Sequence, residues 1–356
     1  MFAMMLKQKN WHVSVIDKSG FTGGGVRTFY HGGHPFTYGP RHFIGPEKNM
    51  PAFEFLNKIV PMRNIKKMNL SYQQQDDFFA SYPMHEEDIK KLSDSEIIFE
   101  ELRNLPKETK ANNFEEFWIG RVGKTLYEKF NKFYNLKAWK LDSNKKMNVG
   151  FEATVKRKPL ESGSRYEFHS GYINAYPKAQ DGYNRFFDVA LEGCDILLNR
   201  EITSIDMDKL NVFCDKEIIS GDLIISTISP DFLYNECWGE LAYVGRDFFK
   251  IVLPNEKVLP EDVYFIYYPN ENEQQTRVTE CKKFTLHKSK NSLITMEVPS
   301  MKNKLYPTMI KSQVDLAKKY INALPENIIS VGRMGTYSYV DIDNIIMQGL
   351  EFKKKI

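Results

Sequence analysis

A carboxylate and a run of glycines follow a short apolar strand near the start of the chain. The segment WHVSVIDKSGFTGGG spans residues 11–25 and places Asp17 directly after the strand, with Gly23 and Gly24 in the turn beyond. In dinucleotide-binding folds such an acid binds a ribose hydroxyl and lies about 20 residues after a G-x-G-x-x-G turn. Only sixteen residues precede Asp17 here, and none is glycine. The sequence thus holds one half of the motif; the alternative is that the strand belongs to an unrelated α/β fold.

Hydrophobic spacing predicts the elements that must position these residues. The segment MFAMMLKQKN, residues 1–10, has the pattern of the end of a helix, so we expect the chain to begin inside the motif, with the glycine turn upstream. Apolar runs predict strands at 13–16 and 223–226, and helical spacing covers 51–60 and most of 86–137. The last segment is typical of a strand, a glycine turn and a helix.

Composition and charge exclude several classes of protein. The 356 residues carry a net charge of only +3, with basic and acidic residues interspersed, which argues against a nucleic-acid partner. Four scattered cysteines form no CxxC or Cys/His cluster, which argues against a metal site or a disulfide framework and indicates a reducing cytoplasm. No apolar run reaches the roughly 18 residues of a membrane span, and the Met-rich start is too short for a signal peptide.

Motifs along nearly the whole chain resemble those of UDP-galactopyranose mutases, in order and at similar spacing. The most specific are TRVTECKKF at 276–284 and VGRMGTYSYVDID at 331–343, which are similar to T-R-I-T-E-H-K-x-F and V-G-R-L-G-T-Y-R-Y-L-D-M-D. GKTLYEKFNKFYNLKAW at 123–139 and LAYVGRDF at 241–248 resemble G-K-E-L-Y-E-x-F-x-K-G-Y-T-x-K-Q-W and L-G-Y-R-T-L-x-F. Near the start, TGGGV and YGPRHF resemble an I-G-G-N turn and Y-G-A/P-H-x-F-H.

The resemblance implies an α/β fold. A FAD-binding Rossmann-like domain would be assembled from separated segments, with an inserted helical domain and an antiparallel β-sheet domain. The predicted segments are an FAD-binding segment at 1–85 that is incomplete at its N-terminus, a helical domain at 86–150, a mobile loop and sheet at 151–190, an FAD-domain segment at 191–245, a β-sheet substrate domain at 246–320, and a C-terminal FAD-binding segment at 321–356.

The resemblance also implies the reaction. Members of the family interconvert the pyranose and furanose forms of a UDP-sugar, of the UDP-galactose type, and N5 of reduced FAD attacks the anomeric carbon and displaces UDP. We therefore expect an isomerase, an intramolecular transferase, that binds FAD in its reduced form and a UDP-sugar. It would serve the synthesis of cell-surface polysaccharide. Bacterial members are often dimers, which suggests a homodimer.

Site residues are carried over by position. The predicted catalytic residues are Arg277, Tyr306, Tyr339 and Asp341. The predicted substrate-binding residues are His85, Tyr134, Trp139, Arg157 and Tyr166, together with Arg277, Tyr306 and Tyr339. The predicted cofactor-binding residues are Asp17, Gly23, Gly24, Tyr38, Arg41, Arg333 and Asp341. A planar guanidinium suits pyrophosphate oxygens, and an aromatic face can stack on uracil. The alternatives are that Arg277 only pairs with a carboxylate and that Tyr134 and Trp139 only fill the core.

The chain departs from the family pattern where the sugar would bind. Arg41 replaces the first histidine of Y-G-A/P-H-x-F-H, with His42 one position later, and Ile44 replaces the second. His85, in SYPMH, stands for the asparagine of the family's L-P-I-N segment. We expect the nucleotide end of the substrate to be retained while the sugar differs from galactose.

The arginine that closes over the pyrophosphate from a mobile loop has no clear equivalent. Glu161 takes its aligned position, with Arg157 and Arg165 nearby. Two other functions stay open: an amine-oxidase-like flavin oxidoreductase, which needs no pyrophosphate clamp, and an altered homologue that acts on another nucleotide sugar or only binds it. The TRVTE and GTYSY segments favour the mutase.

Overall fold

The structure is a computed structural model that describes residues 1–148, 160–163, 165–166, 171–215 and 217–355. Its α-helices within these ranges are α1 (Phe2–Lys7), α2 (Met50–Ile59), α3 (Glu86–Ile89), α4 (Ser95–Arg103), α5 (Phe114–Val122), α6 (Lys124–Leu126), α7 (Phe133–Trp139), α8 (Asn184–Ala190), α9 (Pro230–Leu233), α10 (Cys281–Thr285), α11 (Lys311–Asn322), α12 (Gly332–Gly335) and α13 (Ile342–Lys355). A π-helical segment, Tyr127–Lys132, joins α6 to α7.

The strands of the same ranges lie mostly in small sheets. They are β1 (Ser14–Asp17), β2 (Phe29–His31), β3 (His34–Phe36), β4 (Phe43–Pro46), β5 (Met62–Asn64), β6 (Met68–Gln73), β7 (Phe78–Ser81), β8 (Met84–His85), β9 (Leu160–Glu161), β10 (Tyr172–Pro177), β11 (Asp195–Leu198), β12 (Ile202–Asp206), β13 (Asn211–Cys214), β14 (Glu217–Ser220), β15 (Ile224–Ser226), β16 (Tyr243–Leu253), β17 (Val263–Tyr267), β18 (Arg277–Glu280), β19 (Ser292–Ser300), β20 (Tyr306–Pro307) and β21 (Ile328–Ser330).

The α/β part of the chain is built from its two ends. β1 pairs in parallel with β11, and β15 pairs in parallel with β21. The N-terminal helix α1 and the C-terminal helix α13 pack beside these strands, where Met5, Leu6, Val13 and Phe352 form a buried cluster. Two separate strand pairs from segments far apart in sequence therefore share one buried core, which confirms the predicted assembly from separated pieces.

The largest sheet has seven strands in the order β20-β16-β19-β18-β17-β6-β7. It is antiparallel at every pair except β17 and β6, which run parallel, so the predicted antiparallel sheet is in fact mixed. β6 and β7 come from the segment 1–85 and join this sheet by pairing with β17 and with each other. All five residues of β17 are buried, as expected for an apolar run covered on both faces.

A helical layer packs against one end of this sheet. Asn113 caps α5, because its Oδ1 accepts the amide N–H of Glu116 at 3.0 Å while the Glu116 carboxylate accepts the Asn113 side-chain amide at 2.8 Å. Trp118 of α5 is buried in a core that also contains Tyr306 of the sheet. Lys129 ties the helical layer to the loop after β6 through a 2.9 Å ion pair with Asp76. No helix in the described ranges is long and apolar enough to span a bilayer.

Candidate active site

Five of the predicted site residues line one cavity between the helical layer and the seven-stranded sheet. The cavity has a volume of about 130 Å³, and Tyr134, Trp139, Arg277, Tyr306 and Tyr339 are among its walls. These residues come from α7, β18, β20 and the loop after α12, which are widely spaced in the sequence. The fold therefore gathers the predicted nucleotide-binding aromatics and the predicted pyrophosphate arginine into one place.

Two tyrosines form a flat stack in this cavity. The rings of Tyr306 and Tyr339 lie 5.6 Å apart with only 10° between their planes. Trp139, the last residue of α7, meets Tyr306 edge-on at 5.8 Å and Tyr339 at 6.4 Å. The three aromatic rings fix one another's orientation, because offset-stacked and edge-to-face contacts are both favourable geometries.

Arg333 covers the stacked pair. Its guanidinium carbon lies 4.7 Å from the Tyr306 ring centroid and 4.6 Å from that of Tyr339, which are cation–π distances. Its position is held by Val340, whose carbonyl accepts from Nη2 at 2.9 Å, and by Asp341, whose carboxylate lies 3.7 Å away. The predicted cofactor residues Arg333 and Asp341 thus contact each other, and Arg333 also contacts the predicted catalytic tyrosines.

Arg277 and Glu297 form a buried, two-pronged ion pair on the floor of the cavity. The antiparallel register of β18 and β19 places the two residues directly opposite each other. Nε of Arg277 donates to Oε1 at 2.8 Å and Nη2 donates to Oε2 at 2.9 Å, and the Glu297 side chain is only 3 % exposed. Burial opposes the charge of Arg277, but Glu297 and the surrounding tyrosines together outweigh burial and raise the pKa of the guanidinium. Arg277 does pair with a carboxylate, and it also faces the cavity.

The helical wall of the cavity is locked to the sheet by Lys137. Its ammonium group donates to the backbone carbonyls of Tyr268, Asn270 and Glu273 at 2.8, 2.9 and 2.7 Å. One helical turn earlier, Tyr134 meets Tyr267 of β17 edge-on at 5.6 Å. Burial raises the pKa of Tyr134, so its hydroxyl stays protonated and can donate a hydrogen bond to a ligand.

Arg246 is a cavity residue that the motifs did not single out. It lies on β16, only 8 % exposed, with its guanidinium carbon 5.0 Å from the Tyr306 ring and 6.0 Å from the Trp139 ring. Asn303 fixes its backbone by accepting from the Arg246 amide and donating to its carbonyl, both at 3.1 Å. This approach requires Gly245, since a Cβ there would lie 2.1 Å from Asn303 Oδ1. When LAYVGRDF is aligned with the family's L-G-Y-R-T-L-x-F, the family has a leucine where this chain has Arg246. A search for charged residues that depart from the motif would have found Arg246.

The electrostatics of the cavity converge on Tyr306. Burial alone would raise the pKa of its phenol, but the positive charges of Arg41, Arg333 and Arg246 outweigh burial and hold that pKa below its ordinary value. Tyr339 beside it has a pKa raised by burial. The hydroxyl of Tyr306 therefore lies in a positive field suited to anionic oxygen atoms.

A second, more open cavity of about 430 Å³ lies on the other side of Arg246. Gly25 and Tyr38 line it, together with Phe248 and Leu305. Gly24 has a φ of +51° and Gly332 a φ of +74°, and a Cβ added at either position would meet nothing within 4 Å. Open backbone at such glycines allows a ligand such as a flavin to approach closely.

The remaining predicted cofactor residues shape the turn after β1. Oδ1 of Asp17 accepts from the amide N–H and the hydroxyl of Ser19 at 2.9 and 2.7 Å, which makes a tight turn directly after the strand. Gly23 has a φ of +93°, and a Cβ there would lie 2.5 Å from the Phe187 ring. Arg41 reaches the same turn, because its Nε donates to the carbonyl of Gly25 at 3.1 Å.

Two predicted substrate residues, His85 and Tyr166, lie outside the lining of the cavity. His85 caps α3, accepting the Glu87 amide through Nδ1 at 3.1 Å, and its Nε2 lies 2.9 Å from the carbonyl of Gly163. Tyr166 donates to Asp262 at 2.6 Å. Arg157 lies outside the described residues.

The other departures from the family pattern have structural surroundings of their own. Arg165, one of the arginines near the aligned loop position, is bound to Asp88 and to the hydroxyl of Ser81. His42 stacks on Phe284 at 5.5 Å. In the described part of the chain no group of three or more acidic, histidine or cysteine side chains could hold a metal ion.

Models of two known protein families match two regions of the chain. A model of the UDP-galactopyranose mutase family matches residues 129–339, and a model of an NAD(P)-binding Rossmann-like domain matches residues 1–59. The chain is 26 % identical over 376 residues to a probable UDP-galactopyranose mutase of Klebsiella pneumoniae, with 98 % of this chain and 89 % of the relative covered. It is equally identical over 375 residues to a dTDP-fucopyranose mutase of Escherichia coli, covering 98 % and 93 %.

Solved structures show the same fold. A crystal structure of reduced UDP-galactopyranose mutase superposes with a TM-score of 0.80 at 17 % identity, covering 99 % of this chain and 92 % of that one. A putrescine oxidase variant superposes with a TM-score of 0.62 at 11 % identity, covering 99 % and 96 %. The Rossmann-like fold is thus common to a mutase and an oxidase, and the family model distinguishes between them.

Proposed function

This chain belongs to the UDP-galactopyranose mutase family, and we propose that it interconverts the pyranose and furanose forms of a nucleotide-linked sugar. The observation that carries the proposal is the single cavity shared by Tyr134, Trp139, Arg277, Tyr306 and Tyr339. A nucleotide sugar has an aromatic base, a diphosphate and a sugar, and this cavity offers aromatic faces and a guanidinium for the first two.

Reduced FAD, when bound, supplies the nucleophile for the anomeric carbon. Gly24 would let the cofactor approach the backbone closely, Tyr38 would contact the flavin in the cavity that it shares with Arg246, and Asp17 would bind the adenosine ribose. Arg333 and Asp341, which contact each other, would hold the flavin side of the cavity.

The chain's own residues would position the substrate and stabilise the departing diphosphate. Tyr134 and Trp139 would stack on or pack against the base. Arg277 would contact a phosphate oxygen through the nitrogen that Glu297 does not use. The hydroxyls of Tyr306 and Tyr339 would donate to the same group, and donors fixed before the reaction stabilise developing negative charge most effectively.

The sugar is proposed to be of the UDP-galactose type, with a dTDP-linked deoxysugar as the second candidate. The first follows from the family and from the relative in Klebsiella pneumoniae, and the second from the relative in Escherichia coli, whose name specifies dTDP-fucopyranose. The replacement of the family's two histidines by Arg41 and Ile44 favours the second candidate, whose sugar is not galactose.

The test is direct conversion. The purified protein is examined for a flavin spectrum, reduced with dithionite and incubated separately with UDP-galactofuranose and with a dTDP-fucose isomer. Chromatographic conversion of either substrate to its other ring form, dependent on reduction, is the expected result. Reduction of bound flavin by an amine, with no ring isomerisation of either nucleotide sugar, would contradict the proposal and favour an oxidoreductase.

A further inference from the structure

Arg246 is a buried cation that forms no ion pair with a carboxylate within the described ranges. Its side chain is 8 % exposed, and its Nη1 donates to the carbonyl of Gly245 at 2.7 Å. Across residues 1–148, 160–163, 165–166, 171–215 and 217–355 it takes part in no salt bridge. A buried charge without a counter-charge is costly, so a ligand that brings an anion to Arg246 would be stabilised there.

The surroundings of Arg246 indicate which anion it would bind. It faces Trp139 and Tyr306, which line the cavity that also contains Arg277. Together with Arg41 and Arg333 it generates the positive field that lowers the pKa of Tyr306. A phosphate that contacts both Arg246 and the Tyr306 hydroxyl would accept hydrogen bonds from a guanidinium and from a phenol.

Arg277 cannot bind a diphosphate with its whole fork. Its Nε and Nη2 are already engaged by Glu297, which leaves one nitrogen for a ligand that carries two negative charges. Arg165 is engaged by Asp88 and Ser81. A second cation is therefore needed, and Arg246 is already in the cavity.

We propose that Arg246 binds the diphosphate of the nucleotide sugar as a fixed cation on β16, beside Arg277. The inference rests on the proposed function, because it takes the ligand to be a nucleoside diphosphate sugar. The paired hydrogen bonds of Asn303 hold the Arg246 backbone in place. The guanidinium is itself held by the Nη1 bond to the Gly245 carbonyl and by its contact with the Tyr306 ring, which reduces the ordering that binding must impose.

The experiment compares UDP with uridine, which differ only in the diphosphate. Isothermal titration calorimetry on the full-length flavoprotein would measure both ligands against wild type, Arg246→Leu and Arg246→Lys. Exposed Arg103 on α4 gives the matched control Arg103→Leu. We expect Arg246→Leu to weaken UDP binding roughly 30-fold or more and to leave uridine binding unchanged, because a removed partner of a buried charge contact is costly. Arg246→Lys should lose roughly tenfold, since an ammonium lacks the planar fork.

Circular dichroism and the flavin spectrum establish that each variant is folded and loaded. Unchanged UDP affinity in both folded Arg246 variants would overturn the inference while leaving the proposed function intact. The inference would also be overturned, with the proposed function intact, if Arg246→Leu altered the flavin spectrum but not the affinity for UDP. A wild-type protein that binds neither UDP nor uridine and isomerises no nucleotide sugar would overturn both.

Discussion

The two sides of the cavity are built from different chemistry. The sheet side carries the charged lining residues, Arg246 on β16 and Arg277 paired with Glu297 across β18 and β19, beside the tyrosines Tyr267 and Tyr306. The helical side presents rings and amides from the π-helical segment and α7, among them Tyr134 and Trp139. Under the proposed function, the sheet side would bind what nucleotide sugars share, the diphosphate, while the helical wall would bind the part that varies, the base.

The sharpest test of the sheet side is Arg277→Met. It removes a cation from the ligand and leaves the Glu297 carboxylate buried without its partner. We expect kcat/KM to fall roughly a hundredfold or more and the free energy of unfolding to fall by about 3–5 kcal/mol, measured by steady-state kinetics and by urea unfolding. The double variant Arg277→Met/Glu297→Gln should recover stability but not activity. Recovery of both would show that Arg277 serves only the fold.

The corresponding test of the helical side is Trp139→Ala. Loss of the edge-on contacts frees Tyr306 and Tyr339 and opens the wall, so kcat/KM should fall roughly tenfold to a hundredfold, in the range of a lost stacking contact. Trp139→Phe keeps a ring at this position and should retain most of the activity. If Trp139→Ala left the affinity for UDP unchanged, the assignment of base binding to this wall would be wrong.

A smaller effect is expected where the two sides are joined. Lys137→Met removes three hydrogen bonds from a charged donor to the loop that precedes Arg277. We expect KM for the nucleotide sugar to rise roughly tenfold while kcat changes little, because the wall would shift relative to the floor without loss of a reacting group. Lys140→Met, on an exposed residue just beyond the same helix, is the control and should change neither. An equal fall in kcat would place Lys137 closer to the chemistry.

The smallest effect on activity is expected at the seam between β7 and α3. Asp88 accepts the amide of Ser81 at 2.8 Å and pairs with Arg165. Burial opposes its charge, but these partners outweigh burial and lower its pKa. Its stabilisation is therefore present above the unfolded pKa, about 4, and is lost as the pH falls through the lower folded value.

Asp88→Asn should cost about 1–3 kcal/mol of unfolding free energy at pH 7, with little change in kcat. Unfolding curves at several pH values should show the difference from wild type shrinking below about pH 4. Asp142→Asn, which breaks an exposed pair with Lys146, is the control and should have no measurable effect. A difference that persisted at low pH would mean that the Asp88 carboxylate is not what stabilises the seam.

Much of this architecture could be predicted from the sequence. The predicted strands at 13–16 and 223–226 are β1 and β15, and the predicted helix at 51–60 is α2, because apolar spacing reports burial directly. Family membership is confirmed by the family model. The motifs also selected Arg277, Tyr306 and Tyr339, which line one cavity, although their roles in binding and catalysis remain predictions.

What the sequence did not reveal depends on register and on long-range pairing. Glu297 was not predicted as the partner of Arg277 because nothing local states that β18 and β19 align these two residues. Arg246 was missed because it stands where the family motif has a leucine, and a motif gives no weight to a charge that departs from it. The parallel pairing of β6 with β17 joins segments almost 200 residues apart, and a periodic pattern carries no information about such a partner.

The π-helical segment Tyr127–Lys132 sets the rotation of everything that follows it on the helical wall. Each residue of an α-helix advances the chain by about 100°, so one residue deleted from this wide turn would regularise the helix and swing the rings of Tyr134 and Trp139 around its axis, away from the ligand. Local helicity would improve while the cavity lost its aromatic lining. The irregular backbone of this segment sets the orientation of the side chains that follow it. A variant with a regular helix there would therefore bind the ligand less well.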